Sequence, residues 1–314
     1  MTHTNRAELS WLRRDLLRIA GASSLALAVA PHWVFAKDKS KITRPIPSSG
    51  ELLAIMGMGT SRTFDVELDA QTLRELTEVL QAFFDGGGQL IDSSPMYGAA
   101  ETVIGKTLAK TTNKKGLFTA TKVWTDGKQA GIGQMKQSAR RMGVKTIDLM
   151  QIHNLRDWRT HLPTLRQWKA EKKIRYIGIT TSHGRQHQEL KKVLESEPFD
   201  FVQLSYNIID REAEKELLPL AQEKGIATLI NRPFQRGDLF RRVKGKPLPK
   251  WAAEFDCESW GQFFLKFVAA HPAATCLIPA TSKRKHMVDN MGAGYGRLPD
   301  ANMRKKMIAH IESL

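Results

Sequence analysis

The sequence predicts an α/β protein and, within that class, a (β/α)8 TIM barrel. Three observations carry this expectation. From residue 50 to the end, short apolar runs alternate with amphipathic segments of helix length, a regular β-then-α rhythm. No Gly-x-Gly-x-x-Gly follows an early apolar run, which counts against an open, doubly wound dinucleotide domain. The chain has 314 residues, enough for one such barrel. Neither an internal repeat nor a composition shift marks a second domain.

The strand candidates, in order, are Leu53–Met58, Gln89–Ile91, Leu117–Thr121, Ile147–Ile152, Ile174–Thr180, Phe201–Ser205, Ala227–Ile230 and Thr275–Ile278. Each is too short for a helix and rich in the branched and aromatic side chains that suit a buried strand. Between them Ala70–Phe84, Glu101–Ala109, Gly133–Met142, Arg185–Glu195, Ala213–Lys224 and Glu258–Ala270 read as helices, and Ala301–Leu314 as a last short one. The longest irregular connection is expected from Arg232 to Asp256. It carries Arg236, Arg241, Arg242, Lys244 and Lys246 with Pro247 and Pro249. Loops of that length in a compact domain are usually functional. Residues 37–49 are polar, include Pro45 and Pro47, and read as a linker ahead of a barrel domain at 50–314.

The balance of charge is strongly basic, with a formal net charge of +16. Arg6, Arg13, Arg14 and Arg18 against Glu8 and Asp15 give residues 1–36 a net +2, leaving +14 for the remainder. Such a charge attracts anions. No basic run interleaved with aromatics and no zinc-finger or RNA-binding signature accompanies it, so no nucleic-acid partner is expected. Cys257 and Cys276 have neither metal-ligand nor redox-pair spacing. They read as buried structural thiols, and no metal site is expected.

The N-terminus reads as an address. Leu12-Arg13-Arg14-Asp15-Leu16-Leu17-Arg18 is followed by Ile19–Ala30, twelve residues of mostly Ala, Leu, Ser, Gly and Val, and then by Val34-Phe35-Ala36. That stretch is too short and too weakly apolar to span a membrane, but suits the h-region of a signal peptide. An ordinary secretory signal or an uncleaved amphipathic anchor shares these traits. The paired arginines with two apolar residues after them resemble the twin-arginine signal instead. This implies a signal peptide at 1–36, a partnership with the twin-arginine translocation machinery, export in the folded state and a periplasmic location.

The chemistry lies at strand ends. Ile91-Asp92-Ser93-Ser94-Pro95-Met96-Tyr97-Gly98 puts a carboxylate at the end of an apolar run and a phenol five residues later. The next run, Leu117–Thr121, leads into Lys122, and Ile147–Ile152 leads into His153. A lysine ending an apolar strand is informative, because lysine is rarely buried unpaired. Asp-x-x-x-x-Tyr-Gly or a lone histidine says little; the ordered set at successive strand ends, on the rim where barrels keep their chemistry, says much more.

On these residues the chain resembles the aldo-keto reductase superfamily over roughly Ile46 to Leu314. The resemblance implies carbonyl reduction with a nicotinamide as hydride source. It assigns Tyr97 as proton donor, Lys122 as the ammonium that lowers the phenol pKa, Asp92 as the partner holding the lysine, and His153 as the group orienting a small carbonyl substrate. It also implies cofactor contacts. Gln203 fits the glutamine that binds the nicotinamide carboxamide, and Thr180 offers a hydroxyl where the family has serine, although Thr181 lacks the amide of the family's asparagine. Asn231-Arg232-Pro233-Phe234 stands where many members place an aromatic wall, and the loop carrying Arg236 is where the family covers the pyrophosphate. Ala280, Thr281, Ser282, Lys283, Arg284 and His286, followed by Asp289 and Asn290, match the turn and helix that hold the adenosine and its 2′-phosphate, with Ala280 and His286 replacing the usual lysine and arginine. The positive charge there favours NADP(H) over NAD(H). Trp124 and Trp158 lie on the correct rim, as substrate contacts or as scaffold, and the short segment after Asn290 implies an open pocket. A different class of function also fits: an exported, nucleotide-carrying regulatory or sensing subunit with little turnover.

Overall fold

The structure is a computed structural model that describes residues 40–314. The expected signal peptide, its Arg13-Arg14 pair and the first residues of the expected linker lie outside the described residues. Eight parallel strands form one sheet: Met58–Gly59 (β3), Leu90–Asp92 (β4), Phe118–Val123 (β5), Ile147–Ile152 (β6), Ile174–Thr180 (β7), Phe201–Ser205 (β8), Ala227–Asn231 (β9) and Cys276–Leu277 (β10). Neighbours in the sheet follow chain order, and parallel bridges Met56↔Leu277 and Gly59↔Ala280 join its last strand to its first. The sheet therefore closes on itself, with helices between successive strands: the expected (β/α)8 barrel. Closure is tight at the seam. A Cβ on Gly59 would sit 2.7 Å from the Ile278 carbonyl oxygen, so only glycine lets the two backbones approach.

The first apolar run divides in a way the sequence did not announce. Thr43–Pro45 (β1) and Leu52–Ala54 (β2) pair antiparallel as a hairpin ahead of the barrel. The expected linker is thus, from residue 40 onward, part of the domain. Ile46 is fully buried, Gln89 Oε1 accepts from the Ala54 amide at 2.8 Å, and the Tyr176 hydroxyl donates to Ser49 Oγ at 2.8 Å. Ile46 and Leu53 pack with Leu90, Phe118, Leu149, Tyr176, Phe201 and Leu229 in one apolar cluster that fills the lower barrel. Burying such side chains contributes about 1.5–3 kcal/mol each.

Outside the barrel the helices present apolar stripes to the strands. In Ala70–Asp85 the Asp69 side chain caps the Thr72 amide at 2.7 Å, and Leu76, Val79, Leu80, Phe83 and Phe84 recur at helical spacing on the buried face. Two connections are more ordered than expected. Trp158–Ala170 is a helix that tolerates Pro163 in its second turn. The stretch after β9 holds Asp238–Arg242 and a 3-10 turn, Lys250–Phe255, so Arg232–Asp256 is not one irregular loop. Both cysteines are buried and unpaired, as expected.

Candidate active site

Along each barrel strand alternate residues point inward, and the inward set changes character from bottom to top. One or two pleats beyond the apolar cluster, the same faces carry Asp92 on β4, Lys122 on β5, Gln151 on β6 and Gln203 on β8. Lys122 Nζ donates to Asp92 Oδ2 at 2.6 Å and to the Ser93 carbonyl at 2.7 Å. Asp92 Oδ1 accepts from Gln151 Nε2 at 2.8 Å and from Gln203 Nε2 at 3.1 Å, contacts that reach across the barrel interior. Lys122 is 0% and Asp92 2% exposed. A buried charge survives only if paired and hydrogen-bonded, and both are. Burial pulls the Lys122 ammonium down while the Asp92 charge pulls it up, and the net shift is upward, so the lysine stays charged.

Tyr97 lies above this pair, in a turn set by Gly98, whose φ of +55° is left-handed. The Lys122 ammonium is 5.1 Å from the centre of the phenol ring. Lys122 acts on the phenol in the expected direction, downward, but burial outweighs it. Burial pushes Tyr97 up, Lys122 opposes it, and the result lies above the ordinary tyrosine value. The ammonium is already half-neutralised by Asp92, while the phenolate loses its water, so desolvation wins. Tyr97 therefore holds its proton at neutral pH.

His153 stands against Tyr97 edge to face, with ring centres 5.8 Å apart and planes at 89°. Burial, and then the Lys122 charge, push its pKa down to about 2, so the imidazole is neutral. Its Nδ1 is 2.9 Å from Ser94 Oγ, a fully buried hydroxyl that also accepts from the Met96 amide at 3.2 Å.

These groups open into a cleft of about 670 Å³ on the C-terminal rim. Of the residues expected from the sequence, Asp92, Tyr97, His153, Thr180, Gln203, Asn231, Arg232, Phe234, Arg236 and Ala280 line it. Lys122 lies just beneath. Thr281, Ser282, Lys283, Arg284 and His286 form a turn and helix start flanking the cleft, and Lys283 and Arg284 are exposed. Other residues singled out from the sequence sit away from the cleft lining. Asp289 is spent on the scaffold, accepting from Ser259 Oγ at 2.7 Å and Gln262 Nε2 at 3.0 Å, and Asn290 is buried beside it. Trp124 and Trp158 do not line the cleft, which agrees with the scaffold alternative for both. Trp124 lies under the Arg156 guanidinium, and Met96, Phe240 and Ile278 supply the apolar lining instead. Sequence reasoning missed Ser94 and Gln151, and discounted Thr181 for lacking the family's amide. The period of two, counted back from His153, points to Gln151.

The cleft offers polar groups suited to a nicotinamide carboxamide. Thr181 Oγ1 is buried without a hydrogen-bond partner, whereas the Thr180 hydroxyl already accepts from the Asn154 amide at 3.1 Å. Gln203 uses its Nε2 on Asp92 and Gln151 at 3.1 and 3.3 Å, which leaves its carbonyl oxygen to accept an N–H. An acceptor and a donor side by side match an amide, so the residues present fit the group. Asn231 makes no aromatic wall: its side chain accepts from Ser205 Oγ at 2.6 Å and donates to the Thr181 carbonyl at 3.1 Å.

The cleft thus sets a protonated phenol and a neutral imidazole above a buried ammonium–carboxylate pair. The family model for the Aldo/keto reductase family matches residues 55–310, and the chain belongs to that family. It is an NAD(P)H-dependent oxidoreductase. Over 266 residues it is 26% identical to an aldo-keto reductase of Strobilurus tenacellus, covering 72% of this chain and 78% of that one. It is also 26% identical over 230 residues to an NADH-specific methylglyoxal reductase of Escherichia coli (strain K12), with 62% and 67% covered. Among solved structures, an aldo/keto reductase from Klebsiella pneumoniae in complex with NADP and acetate superposes with a TM-score of 0.67 at 20% identity. That match covers 83% of this chain and 93% of the other, and supports the fold.

Proposed function

We propose that this chain reduces an aldehyde or ketone to the alcohol, with Tyr97 as the general acid. The observation that carries the reading is the buried Lys122–Asp92 pair, 2.6 Å apart, beneath a phenol that keeps its proton. A bound nicotinamide supplies the hydride to the carbonyl carbon. The chain's residues do the rest. His153, neutral, donates one hydrogen bond to the carbonyl oxygen and fixes its direction. The Tyr97 O–H breaks as its proton passes to that oxygen, and the phenolate left behind faces the Lys122 ammonium. Asp92 keeps the ammonium in place, and Gln151 and Gln203 keep Asp92 in place. Steady-state oxidation of NADPH with a panel of aldehydes tests the reading. Turnover that depends on Tyr97 supports it; no turnover with any aldehyde or ketone, by a protein that binds nucleotide, rejects it in favour of a binding role.

NADP(H) is the expected cofactor over NAD(H), because Lys283 and Arg284 bring positive charge to the turn where the adenosine end belongs. The same charges leave both nucleotides possible in kind, and the E. coli relative is named NADH-specific. Replacing Lys283 and Arg284 together by alanine should weaken NADPH more than NADH by tenfold or more, since a charge-assisted hydrogen bond contributes about 1.5–3 kcal/mol. Equal losses in a titration exclude this preference.

The twin-arginine reading of residues 1–36 completes the proposal: the barrel is exported folded to the periplasm. Arg13→Lys with Arg14→Lys keeps the charge but not the guanidinium geometry. The double variant should accumulate as an active precursor in the cytoplasm; efficient export excludes the twin-arginine route.

A further inference from the structure

We infer that the substrate carries an anionic group of its own, a carboxylate or a phosphate, and that Arg232 receives it. This deepens the proposed carbonyl reduction and rests on it. The cleft is one-sided in charge. Arg62 after β3, Arg185 after β7, and Arg232 and Arg236 after β9 all line it. Among the described residues Asp92 is the one carboxylate lining the cleft, and Lys122 already occupies it at 2.6 Å. Among the described residues none of the four guanidiniums makes an ion pair with a carboxylate. They press on one another instead. Arg232 is half-buried, and burial, then Arg236 and Arg62, pull its pKa down to about 10 against the weaker pull of Asp210.

This crowding is held in place by the fold. Arg232 has a left-handed backbone, with φ of +54°. Asn207, fully buried, donates its Nδ2 to the Arg232 carbonyl and to Gln235 Oε1, both at 3.1 Å. Its Oδ1 accepts from the Ile209 and Asp210 amides at 3.0 and 2.9 Å. A strained residue with a half-buried, unpaired charge, fixed by a saturated buried amide, is preorganised for an anion.

A nicotinamide dinucleotide does not use up the charge. Its pyrophosphate brings two negative charges to the cleft, and a third phosphate belongs at the Lys283–Arg284 turn outside the cleft lining. Two of the four guanidiniums remain. Arg232 is the one whose charge acts on Tyr97, so the anion it holds lies beside the carbonyl that Tyr97 protonates.

The test uses the full chain, NADPH and matched aldehydes at constant ionic strength: 4-carboxybenzaldehyde against 4-methylbenzaldehyde, and glyceraldehyde 3-phosphate against glyceraldehyde. The expected result is a kcat/KM at least tenfold higher for the anionic member of one pair, and the pair that shows it separates carboxylate from phosphate. In Arg232→Gln the anionic substrate should lose at least ten times more kcat/KM than its neutral partner. Equal kcat/KM within both pairs overturns the inference. So does an equal loss for both members with weakened NADPH binding, which assigns Arg232 to the pyrophosphate. If no aldehyde turns over, carbonyl reduction fails as the function, and calorimetry of the NADP+-loaded protein with 4-carboxybenzyl alcohol and benzyl alcohol still decides. Preferential binding of the carboxylate, lost in Arg232→Gln, supports the anion site; equal binding or none overturns it.

Discussion

Ser94 Oγ lies 2.9 Å from His153 Nδ1, a contact that couples the serine hydroxyl to the choice of which imidazole nitrogen carries the proton. The serine oxygen accepts from the Met96 amide at 3.2 Å, and its own hydrogen is free to turn toward Nδ1. When it donates to Nδ1, a neutral ring carries its proton on Nε2. That tautomer presents a donor to a carbonyl oxygen; the other presents a lone pair and repels it. Ser94 is thus a positioning residue acting through His153.

Ser94→Ala should therefore release the tautomer without moving the ring far. The expected outcome is a fall in kcat of about tenfold, the worth of about 1.4 kcal/mol. Stability should fall by about 1 kcal/mol, typical for one lost buried hydrogen bond. The 15N spectrum of His153 should change from a pure Nε2–H pattern to a mixture. Ser94→Thr, which keeps the hydroxyl, should restore the pattern and most of the rate. An unchanged spectrum in Ser94→Ala removes the serine from this role.

Tyr97→Phe keeps the ring and its edge-to-face contact with His153 but deletes the proton donor. General acids contribute about 10²–10⁴-fold in rate, so kcat should fall by at least a hundredfold. NADPH affinity, measured by quenching of protein fluorescence, should stay within about threefold of the parent. A phenylalanine variant that turns over at the parent rate moves the proton donor elsewhere.

Lys122→Met strikes deeper. It leaves Asp92, 2% exposed, with two amide donors and no cation. Breaking a buried pair from one side costs about 3–5 kcal/mol. Urea unfolding should show that loss, together with an activity near zero. A loss below about 1 kcal/mol means that water or protonation compensates the carboxylate, and that the pair is not the fixed centre described above.

Much of this is legible in the sequence. The apolar runs from Phe118 to Leu229 land within a few residues of the observed strands, because a buried parallel strand is read by its continuous apolar character. Asp92, Lys122 and His153 were legible for the opposite reason: they interrupt that character at strand ends. The first strand was misjudged because hairpin and barrel strands share one run, Leu52 to Gly59, and only pairing across the barrel separates them. Pro163 concealed the helix that starts at Trp158, because a proline in the second turn removes an intrahelical hydrogen bond and reads as a helix break. Asp289 resembles a nucleotide contact in sequence; its bonds to Ser259 and Gln262 depend on a helix thirty residues away in the chain, beyond the reach of any local pattern. Tyr97 shows a different limit. Its neighbours were identified, but the sign of its shift depended on how far burial outweighs an ammonium already paired.

The pH dependence of stability follows from His153. Its folded pKa is pushed down to about 2, against about 6.5 for the unfolded chain, so between those values the unfolded state binds the extra proton. Stability therefore falls as pH drops below about 6.5, at up to about 1.4 kcal/mol per pH unit for this one group. Above pH 7 the group contributes no slope. From pH 7 to pH 5 the histidine should account for about 2 kcal/mol of lost stability. His153→Gln removes the titration while keeping a polar side chain at the site. Urea unfolding of parent and variant at both pH values should show the variant losing about 2 kcal/mol less between them. Equal losses place the His153 pKa near its ordinary value in the folded protein, and with it falls the imidazole held neutral well below pH 6 by burial.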